Sequence, residues 1–451
     1  MKTKKSLYSL VKKQKIIISV YGLGNVGGPI TAAWLKSGAK VIGVDISKKL
    51  LSEIKNGKSH KKEPFISKIF SKSIHNGSLT LTNNGVVASK NSHIKIIAVP
   101  VGLRNKKIDL KSLIKVTNDI SKELKKGDAI IISPSLPPGT TQTKILTILE
   151  NNSKLQGDKD FFLIYNPERI YEGRALQDIE ENYPAIVAGI GKKSLDFGDE
   201  LLKIISKKGT VRMSSIANAE AEKLFEGVYR DVNIALANEL ADYSERIGVD
   251  FWEARKGANS QRFCNLHYPG TGVGGFCIPV YPRFIIESSK KIGKHVKLVE
   301  YSRKTNDLMP KKCVKDALDF MKINGIKSRN SKIAVLGLGF RGEVTDSRLS
   351  PTYSVVKELQ KNDCKISIHD PYIEKDSKLP KNVILTTNLR VATKDASLIL
   401  ISSDHKMYSN LKPNSFSLAK KPLLIFDGRN ILNKKNFKNA SILTIGSRIN
   451  S

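Results

Sequence analysis

A glycine-rich turn between a short apolar run and a helical stretch constrains this chain most. Residues 16–21, Ile-Ile-Ile-Ser-Val-Tyr, are rich in β-branched side chains and predict a buried parallel strand. Gly22-Leu23-Gly24-Asn25-Val26-Gly27 follows at once, and Pro29 stands where the first turn of a helix accepts proline. This order of strand, glycine turn and helix predicts an α/β fold with the GxGxxG signature of dinucleotide binding.

A second predicted strand, residues 40–44, ends in an acidic residue. Asp45 lies 23 residues after Gly22, where a carboxylate can accept hydrogen bonds from an adenosine ribose. This position favours NAD over NADP, although a glycine turn in an α/β protein without a nucleotide is the alternative. The residues expected to contact NAD here are Gly22, Gly24, Asn25, Val26, Gly27 and Asp45.

Further apolar runs extend the pattern into a doubly wound parallel sheet. The additional strands are predicted at residues 94–99, 129–132, 161–165 and 184–189. Nucleotide crevices lie beyond the carboxyl ends of such strands, so the loops that begin at Val99 and Ser133 should face the cofactor. We expect Val99 and Ser135 to contact it.

Residues 216–247 repeat apolar side chains at spacings of three or four and predict one long helix. Lys223, Gly227 and Arg230 fall at i, i+4 and i+7 of this helix, so they share a face that could be turned to a ligand. A solvated surface lysine is the alternative for Lys223.

A second α/β unit is predicted from residue 332 onward. Its first strand, residues 332–336, is followed by Gly337-Leu338-Gly339-Phe340-Arg341-Gly342, which also matches GxGxxG. The better helix start is Ser350-Pro351, so we expect no dinucleotide turn at this position. Further strands are predicted at residues 365–369, 398–402 and 423–426. Charge for a phosphate could come from Arg341, Arg348 and Arg429, with ordinary surface arginines as the alternative.

Residues 270–279, Gly-Thr-Gly-Val-Gly-Gly-Phe-Cys-Ile-Pro, set one thiol beside a run of glycines. Backbone without Cβ atoms can approach a ligand closely, so Cys277 is a candidate nucleophile. A small buried cysteine in a tight turn is the alternative, and this segment alone does not decide between them.

Composition limits the function classes. The 451 residues suffice for two domains and a linking helical segment, and no apolar run is long enough for a membrane span. Residues 1–15 form a basic extension, either disordered or a short added helix, without the core of a signal peptide. The four cysteines show no metal-binding spacing, so we expect a reducing cytoplasm and no metal. The net charge of +34 is spread along the chain, which favours a dispersed basic surface over nucleic-acid binding.

Taken in order, the motifs resemble the UDP-glucose/GDP-mannose dehydrogenase family over residues 16–445. The motifs are Gly22-Leu23-Gly24-Asn25-Val26-Gly27-Gly28-Pro29, Pro137-Pro138-Gly139-Thr140-Thr141, Asn166-Pro167-Glu168-Arg169, Arg230-Asp231-Val232-Asn233-Ile234-Ala235, the Cys277 segment, and Asp427-Gly428-Arg429-Asn430. The resemblance implies two Rossmann-like domains joined by a long central helix that also builds a homodimer. The expected parts are an NAD domain at 16–212, a central region at 213–310 and a UDP-sugar domain at 311–451.

The resemblance also implies a reaction, the oxidation of the C6 hydroxyl of a UDP-sugar to a carboxylate with two NAD⁺. Cys277 would form a thiohemiacetal and then a thioester, Lys223 would stabilise the oxyanion, and Glu168 would assist hydrolysis. Glu172 and Arg348 would lie near the cofactor, and Arg262 would reach into the neighbouring subunit's site. The other substrate contacts would be Arg169, Tyr268, Gly270, Gly274, Phe340, Arg341 and Arg429.

Two positions depart from the family pattern. Gly227 stands where the family commonly has asparagine, and Tyr281 stands where it commonly has aspartate. Either these roles have moved to other groups, or the chain is a catalytically impaired UDP-sugar-binding homologue. The motifs look most like the N-acetylhexosamine branch, which favours UDP-N-acetylmannosamine and leaves UDP-N-acetylglucosamine and UDP-glucose open.

Overall fold

The computed structural model describes residues 6–58, 63, 65–104 and 107–447. The chain divides into two compact units, Met1–Glu226 and Gly227–Ser451. A long helix, α10 (Ile216–Ile247), runs across the division, with the bounds that its apolar periodicity predicts. The predicted α/β class, with two Rossmann-like units and a long central helix, is confirmed.

The first unit is built on a sheet with the order β10-β9-β8-β7-β4-β1-β2-β3. The chain between β4 and β7 also forms a separate antiparallel pair of strands, β5 and β6. The strands are β1 Ile17–Tyr21, β2 Lys40–Val44, β3 Leu79–Thr82, β4 Ile94–Ile97, β5 Gly102–Arg104, β6 Lys107–Asp109, β7 Ala129–Ile132, β8 Phe162–Tyr165, β9 Ala185–Gly189 and β10 Thr210–Arg212.

The expectation of a purely parallel sheet in this unit is wrong at one edge. β8 and β9 pair antiparallel, with Tyr165 opposite Ala188, and β10 then follows β9 in parallel. A parallel return to β9 would need a crossover helix that packs on the sheet. The connection instead holds only one short helix, α8, and a π-helical turn at Asp178–Asn182.

Helices pack against this sheet, and an apolar cluster that includes Trp34 and Phe70 lies on one of its faces. Buried apolar side chains such as Ile130 and Leu163 belong to the opposite face. Ser6 caps the first helix by accepting a hydrogen bond from Ser9 N, so a short added helix is present within the basic extension, whose residues 1–5 lie outside the described part. The helices are α1 Leu7–Lys12, α2 Gly27–Lys36, α3 Lys48–Lys55, α4 Ile66–His75, α5 Gly85–Lys90, α6 Lys111–Ser121, α7 Thr147–Ser153, α8 Ala175–Gln177 and α9 Lys192–Leu202.

The second unit is a smaller parallel sheet with the order β13-β12-β11-β14-β15-β16. Apolar clusters lie on both of its faces, one around Phe426 and Ile368, the other around Phe416 and Tyr408. The strands are β11 Lys332–Leu336, β12 Lys365–His369, β13 Ile384–Thr386, β14 Leu398–Ile401, β15 Leu423–Asp427 and β16 Ala440–Thr444. The helices after α10 are α11 Phe251–Ala258, α12 Cys277–Lys291, α13 Lys297–Ile323, α14 Pro351–Lys361, α15 Leu389–Thr393 and α16 Lys406–Ser409.

The sequence does not predict six of the strands. β3, β5, β6, β10, β13 and β16 are missing from the expectations, because three to five residues with polar side chains among them give too weak a period. Among the described residues, no helix combines the length and the apolar character that crossing a membrane requires.

Candidate functional site

The first glycine turn joins β1 to α2 through a close backbone contact. Gly22 has a φ of +87°, a conformation that favours glycine, and lies against Ala98 and Val99. A Cβ on Gly27 would lie 1.7 Å from the carbonyl oxygen of Gly22, so no other residue fits there. α2 begins at Gly27, so the positive end of its helix dipole lies at the turn, where Gly28 N donates to Gly24 O and Ile30 N donates to Val26 O.

Asp45 holds this turn from the end of β2. Its carboxylate accepts hydrogen bonds from Leu23 N at 2.9 Å and from Ser47 N at 2.8 Å. Thus the carboxylate that the sequence assigns to the adenosine ribose also fixes the backbone of the glycine turn. Asn25 and Val26 complete the turn between Gly24 and α2.

Strands β1, β4, β7 and β8 run parallel, so the segments after them come to one edge of the sheet. Val99 follows β4 and Ser135 follows β7, as predicted for loops at this edge. The hydroxyl oxygens of Ser133 and Ser135 are buried and have no hydrogen-bond partner within the described chain. Buried hydroxyl oxygens without a partner fit a bound dinucleotide at this edge, to which β1 also brings the glycine turn.

Lys223 and Glu168 meet inside the first unit. The side chain of Lys223 is 8% exposed, and its Nζ lies 4.0 Å from Glu168 Oε1 and 3.4 Å from Glu226 Oε2. Glu168 is fixed in turn, because its Oε2 accepts a hydrogen bond from Ile170 N at 3.0 Å. A solvated surface lysine, the alternative for Lys223, is therefore wrong. Of the three residues predicted to share its helix face, Gly227 is also buried and Arg230 is exposed.

Two glutamates that the sequence does not single out complete this cluster. Arg169 Nη1 lies 3.7 Å from Glu222 Oε1 and 3.5 Å from Glu226 Oε1, while Nη2 donates to Pro184 O at 2.8 Å. Burial and the neighbouring Glu226 raise the pKa of Glu222 to about 7. Their positions on either side of Lys223 in α10 are the signal that could have identified them. Glu172 lies partly buried in the turn before α8.

In the second unit, Cys277 is the first residue of α12 and is partly exposed. The first turn of a helix stabilises negative charge, which suits a thiol that must react as an anion. The glycines before it make room for Phe340, because a Cβ on Gly274 or on Gly275 would lie 2.7 or 2.9 Å from that side chain. The glycine run is thus a tightly packed turn that leaves the thiol accessible.

Three of the predicted arginines of this unit follow its first strand, and two of these three flank the cysteine segment. Arg348 pairs with Asp346, its guanidinium lies 5.3 Å from the ring centre of Phe276, and its carbonyl oxygen accepts a hydrogen bond from Gly275 N. Arg429 Nη2 lies 3.2 Å from Asp404 Oδ2, and its Nη1 would lie 2.7 Å from a Cβ on Gly270. Arg341 donates to the carbonyl oxygen of Gly342 and has its guanidinium 5.8 Å from the Phe340 ring centre.

Two predicted substrate residues lie on an exposed segment between α11 and α12. Arg262 lies beside Phe263, which is 85% exposed. Tyr268 is also largely exposed and stacks on the guanidinium of Arg255 at 3.9 Å. The structure does not bring either residue against Cys277 within its unit.

A buried polar network reaches the cysteine segment from α10 and α13. Asp231 pairs with Arg303, Asn306 Nδ2 donates to Asp231, Asn238 Nδ2 donates to Asn306 Oδ1 at 2.9 Å, and Gly270 N donates to Asn238 Oδ1 at 2.9 Å. Burial raises the pKa of Asp231 to about 6 despite Arg303. The sequence does not predict this network, although Asp231 and Asn238 lie two helical turns apart on one face of α10.

Two Rossmann-like units, one with a dinucleotide turn and one with a thiol at a helix start, define a nucleotide-dependent oxidoreductase. Family models match the chain in all three parts of the UDP-glucose/GDP-mannose dehydrogenase family. The NAD-binding domain matches residues 16–208, the central domain residues 217–308 and the UDP-binding domain residues 334–434. The chain belongs to this family and is an NAD-dependent oxidoreductase.

Similar proteins extend over nearly the whole chain. A UDP-N-acetyl-D-mannosamine dehydrogenase of Methanococcus vannielii is 34% identical over 448 residues, which cover 95% of this chain and 96% of that protein. A UDP-N-acetyl-D-glucosamine 6-dehydrogenase of Salmonella typhi is 29% identical and covers 88% of this chain and 92% of that protein. The solved structure of a UDP-N-acetyl-D-mannosamine dehydrogenase from Pyrococcus horikoshii has a TM-score of 0.88 at 30% identity, covering 96% of this chain and 99% of that one.

Proposed function

We propose that this chain oxidises the C6 hydroxyl of UDP-N-acetyl-D-mannosamine to a carboxylate with two molecules of NAD⁺. The observation that carries the proposal is the partly exposed Cys277 thiol at the start of α12, in a chain of this family. A nucleophilic thiol allows a four-electron oxidation in one site, because it captures the aldehyde formed by the first oxidation. The similarity to UDP-N-acetyl-D-mannosamine dehydrogenases supports this sugar.

In this proposal Cys277 bonds to the sugar carbon, and Lys223 stabilises charge on the oxygen attached to that carbon. Bound NAD⁺ supplies the hydride acceptor in both oxidations. The Cys277 sulfur adds to the aldehyde carbon, the C–S bond forms, and the former carbonyl oxygen gains a proton to give a thiohemiacetal. The carbon thereby regains a hydroxyl beside the hydrogen that the second oxidation removes. Lys223 Nζ, on a buried side chain beside Glu168, stabilises negative charge on the sugar oxygen.

Glu168 acts in the last step of this proposal. The second oxidation leaves a thioester on Cys277, and water attacks its carbonyl carbon while Glu168 takes the proton from that water. The C–S bond then breaks, the sulfur leaves with the electron pair, and the sugar carboxylate is released. The hydrogen bond from Ile170 N and the nearby Lys223 hold the Glu168 carboxylate in one orientation for this role.

The test is NADH formation at 340 nm with UDP-N-acetylmannosamine, UDP-N-acetylglucosamine and UDP-glucose in separate reactions. We expect two NADH per molecule of the first sugar, and loss of this turnover in Cys277→Ala. Cys264→Ala is the matched control, because Cys264 is also partly buried and outside any disulfide, and it lies 13 residues before Cys277. Turnover of another sugar alone would assign that substrate, and full activity of Cys277→Ala would refute the thiol mechanism.

A second candidate is a UDP-sugar-binding homologue with impaired catalysis, which Gly227 and Tyr281 favour. Calorimetry with the same three sugars separates the two candidates. UDP-sugar binding without any NADH formation would support the impaired homologue.

We further propose a homodimer in which Arg262 enters the partner's site. Exposed aromatic side chains on α10, Tyr229 and Tyr243, together with Phe263, support an interface of this kind. None of the four cysteines, all within the described chain, forms a disulfide, which fits a cytoplasmic location. Light scattering should give twice the chain mass, and Arg262→Ala should raise KM for the sugar without dissociating the dimer.

A further inference from the structure

Gly227 occupies an unusual place, the interior of the long helix α10. Glycine there destabilises a helix by about 1 kcal/mol relative to alanine. Its neighbour explains why alanine does not fit. An added Cβ would lie 2.9 Å from Cδ2, 3.1 Å from Cβ and 3.4 Å from Cγ of Tyr281. These atoms belong to the base of an aromatic side chain and cannot swing aside as the end of a flexible chain could.

Tyr281 lies on the same helix as the candidate nucleophile, one turn after it. In α12 the residues at i and i+4 share a face, so Tyr281 lies directly behind Cys277 along the helix. Its side chain is buried, at 3% exposure, and its ring centre lies 6.1 Å from that of Phe284. The contact with Gly227 therefore joins α12 to α10 near the turn that carries the thiol.

The two residues that depart from the family pattern thus touch each other. A tyrosine at 281 requires the absence of a side chain at 227, and a glycine at 227 lets α12 approach α10 closely at this point. If the asparagine at 227 and the aspartate at 281 had been lost independently, neither replacement would depend on the size of the other.

We propose that Gly227 and Tyr281 form one size-matched contact that positions the first turn of α12, which makes Tyr281 a positioning residue for Cys277. The proposal rests on the proposed function for its catalytic consequence. The ring, rather than the hydroxyl, carries the effect, because the atoms nearest Gly227 are Cδ2, Cβ and Cγ.

A double-mutant cycle tests the contact with Gly227→Ala, Tyr281→Ala and the double variant. Two readouts are needed, the rate at which iodoacetamide alkylates Cys277, followed by peptide mass spectrometry with Cys264 as the internal reference, and kcat with KM for sugar and NAD⁺. We expect Gly227→Ala to change the Cys277 alkylation rate and to lower kcat by about tenfold, with KM for NAD⁺ within about twofold. In the Tyr281→Ala background, the same substitution should change either quantity by less than about twofold.

Two control variants distinguish a displaced Cys277 from a general loss of stability. Gly257→Ala is the matched glycine variant, because Gly257 lies in helix α11 and an added Cβ there has no neighbour within 4 Å in the described chain. It should leave the alkylation rate and kcat unchanged. Tyr281→Phe keeps the ring and should retain kcat within about threefold. If Gly227→Ala does not fold, the double variant should fold, because removal of the ring relieves the contact.

Additive effects in the cycle would overturn the proposal, as would a double variant that fails to fold. Loss of activity in Tyr281→Phe as large as in Tyr281→Ala would also overturn it, because the hydroxyl would then carry the role. Alkylation needs no sugar turnover, so it distinguishes the two proposals. Coupling in the alkylation rate without NADH from any sugar would leave the contact standing and refute the proposed function.

Discussion

The two units carry the same glycine signature after their first strands and use it differently. In the first unit, Leu23 N donates to Asp45 at the end of β2. In the second, Leu338 N and Gly339 N both donate to Asp370 Oδ2 at 2.8 Å, and Asp370 follows β12, the corresponding strand. Gly22 and Gly337 also share a positive φ, at +87° and +101°. Up to this point, the two turns are equivalent.

The next residues separate them. The first turn leads directly into α2 at Gly27, whereas α14 does not begin until Pro351. Between Gly342 and α14, the backbone uses its N–H groups on the chain itself: Gly342 N donates to Asp404 Oδ1 and Glu343 N to His405 Nδ1. The first turn therefore sets the N-terminus of a helix, which favours a phosphate, directly after the glycines, whereas the second turn is followed by Arg341 and Arg348. A GxGxxG match after a strand therefore indicates dinucleotide binding only where a helix begins at its last glycine.

The largest effect is expected for Gly27→Ala. Its added Cβ would lie 1.7 Å from Gly22 O, a backbone atom. The free energy of unfolding of the first unit should therefore fall by about 3 kcal/mol or more, and NAD⁺ binding should weaken. Gly342→Ala should also destabilise, because its Cβ would lie 2.2 Å from Asp404 O, yet NAD⁺ binding should persist. Denaturant unfolding and NAD⁺ calorimetry measure both. Wild-type NAD⁺ affinity in Gly27→Ala would break the distinction between the turns.

The next largest effect is a difference in stability between variants of Asp370 and Asp45, the aspartates that accept hydrogen bonds from the two turns. Asp370 is fully buried and accepts four backbone N–H bonds, from Leu338, Gly339, Tyr372 and Ile373. Its removal in Asp370→Ala should lower the free energy of unfolding by about 3 kcal/mol, because these donors lose their acceptor. Asp45→Ala should lower it by about 1 kcal/mol and weaken NAD⁺ binding instead. Equal stabilities for the two variants in urea would contradict this difference.

Gly24→Ala and Gly339→Ala compare the effect of the same substitution in the two turns on NAD⁺ binding. An added Cβ on Gly24 meets nothing within 4 Å in the described chain, so the fold should be unaffected. If the pyrophosphate occupies that space, the NAD⁺ dissociation constant should rise by about tenfold. Gly339→Ala, whose Cβ would lie 3.1 Å from Arg341 O, should leave it unchanged. An unaltered dissociation constant in Gly24→Ala would place the cofactor elsewhere.

The last prediction concerns pH. Glu220 accepts hydrogen bonds from Thr141 N and Gly139 N, and its burial raises its pKa from 4.5 to about 7. The stability that it contributes is complete below pH 4.5 and is lost as the pH rises to 7, because charging the buried carboxyl is unfavourable. In Glu220→Gln, urea unfolding between these pH values should show a flatter slope, by up to about 1.4 kcal/mol per pH unit. Identical slopes would show that hydrogen bonding offsets the burial.

Strong local patterns made much of the fold predictable. The bounds of β2, β7, β11 and β12 and of the whole of α10 follow from their apolar periods, and the late start of α14 follows from the cap Ser350 before Pro351. The antiparallel β9 could not be predicted, since strand direction depends on a connection that carries no period. Glu222, Glu226 and Asn238 were missed because their importance comes from burial beside charged or polar partners, which a single sequence does not display.

The central claim is that Cys277 carries the sugar as a thioester before water releases it. The most direct measurement is intact-protein and peptide mass spectrometry of Glu168→Gln, quenched in acid after incubation with UDP-N-acetylmannosamine and NAD⁺. Because this variant lacks the carboxylate proposed to activate water, we expect a sugar acyl adduct on the peptide that contains Cys277, and none in Glu168→Gln/Cys277→Ala. An adduct on another residue, or turnover to two NADH in a variant without Cys277, would contradict the claim.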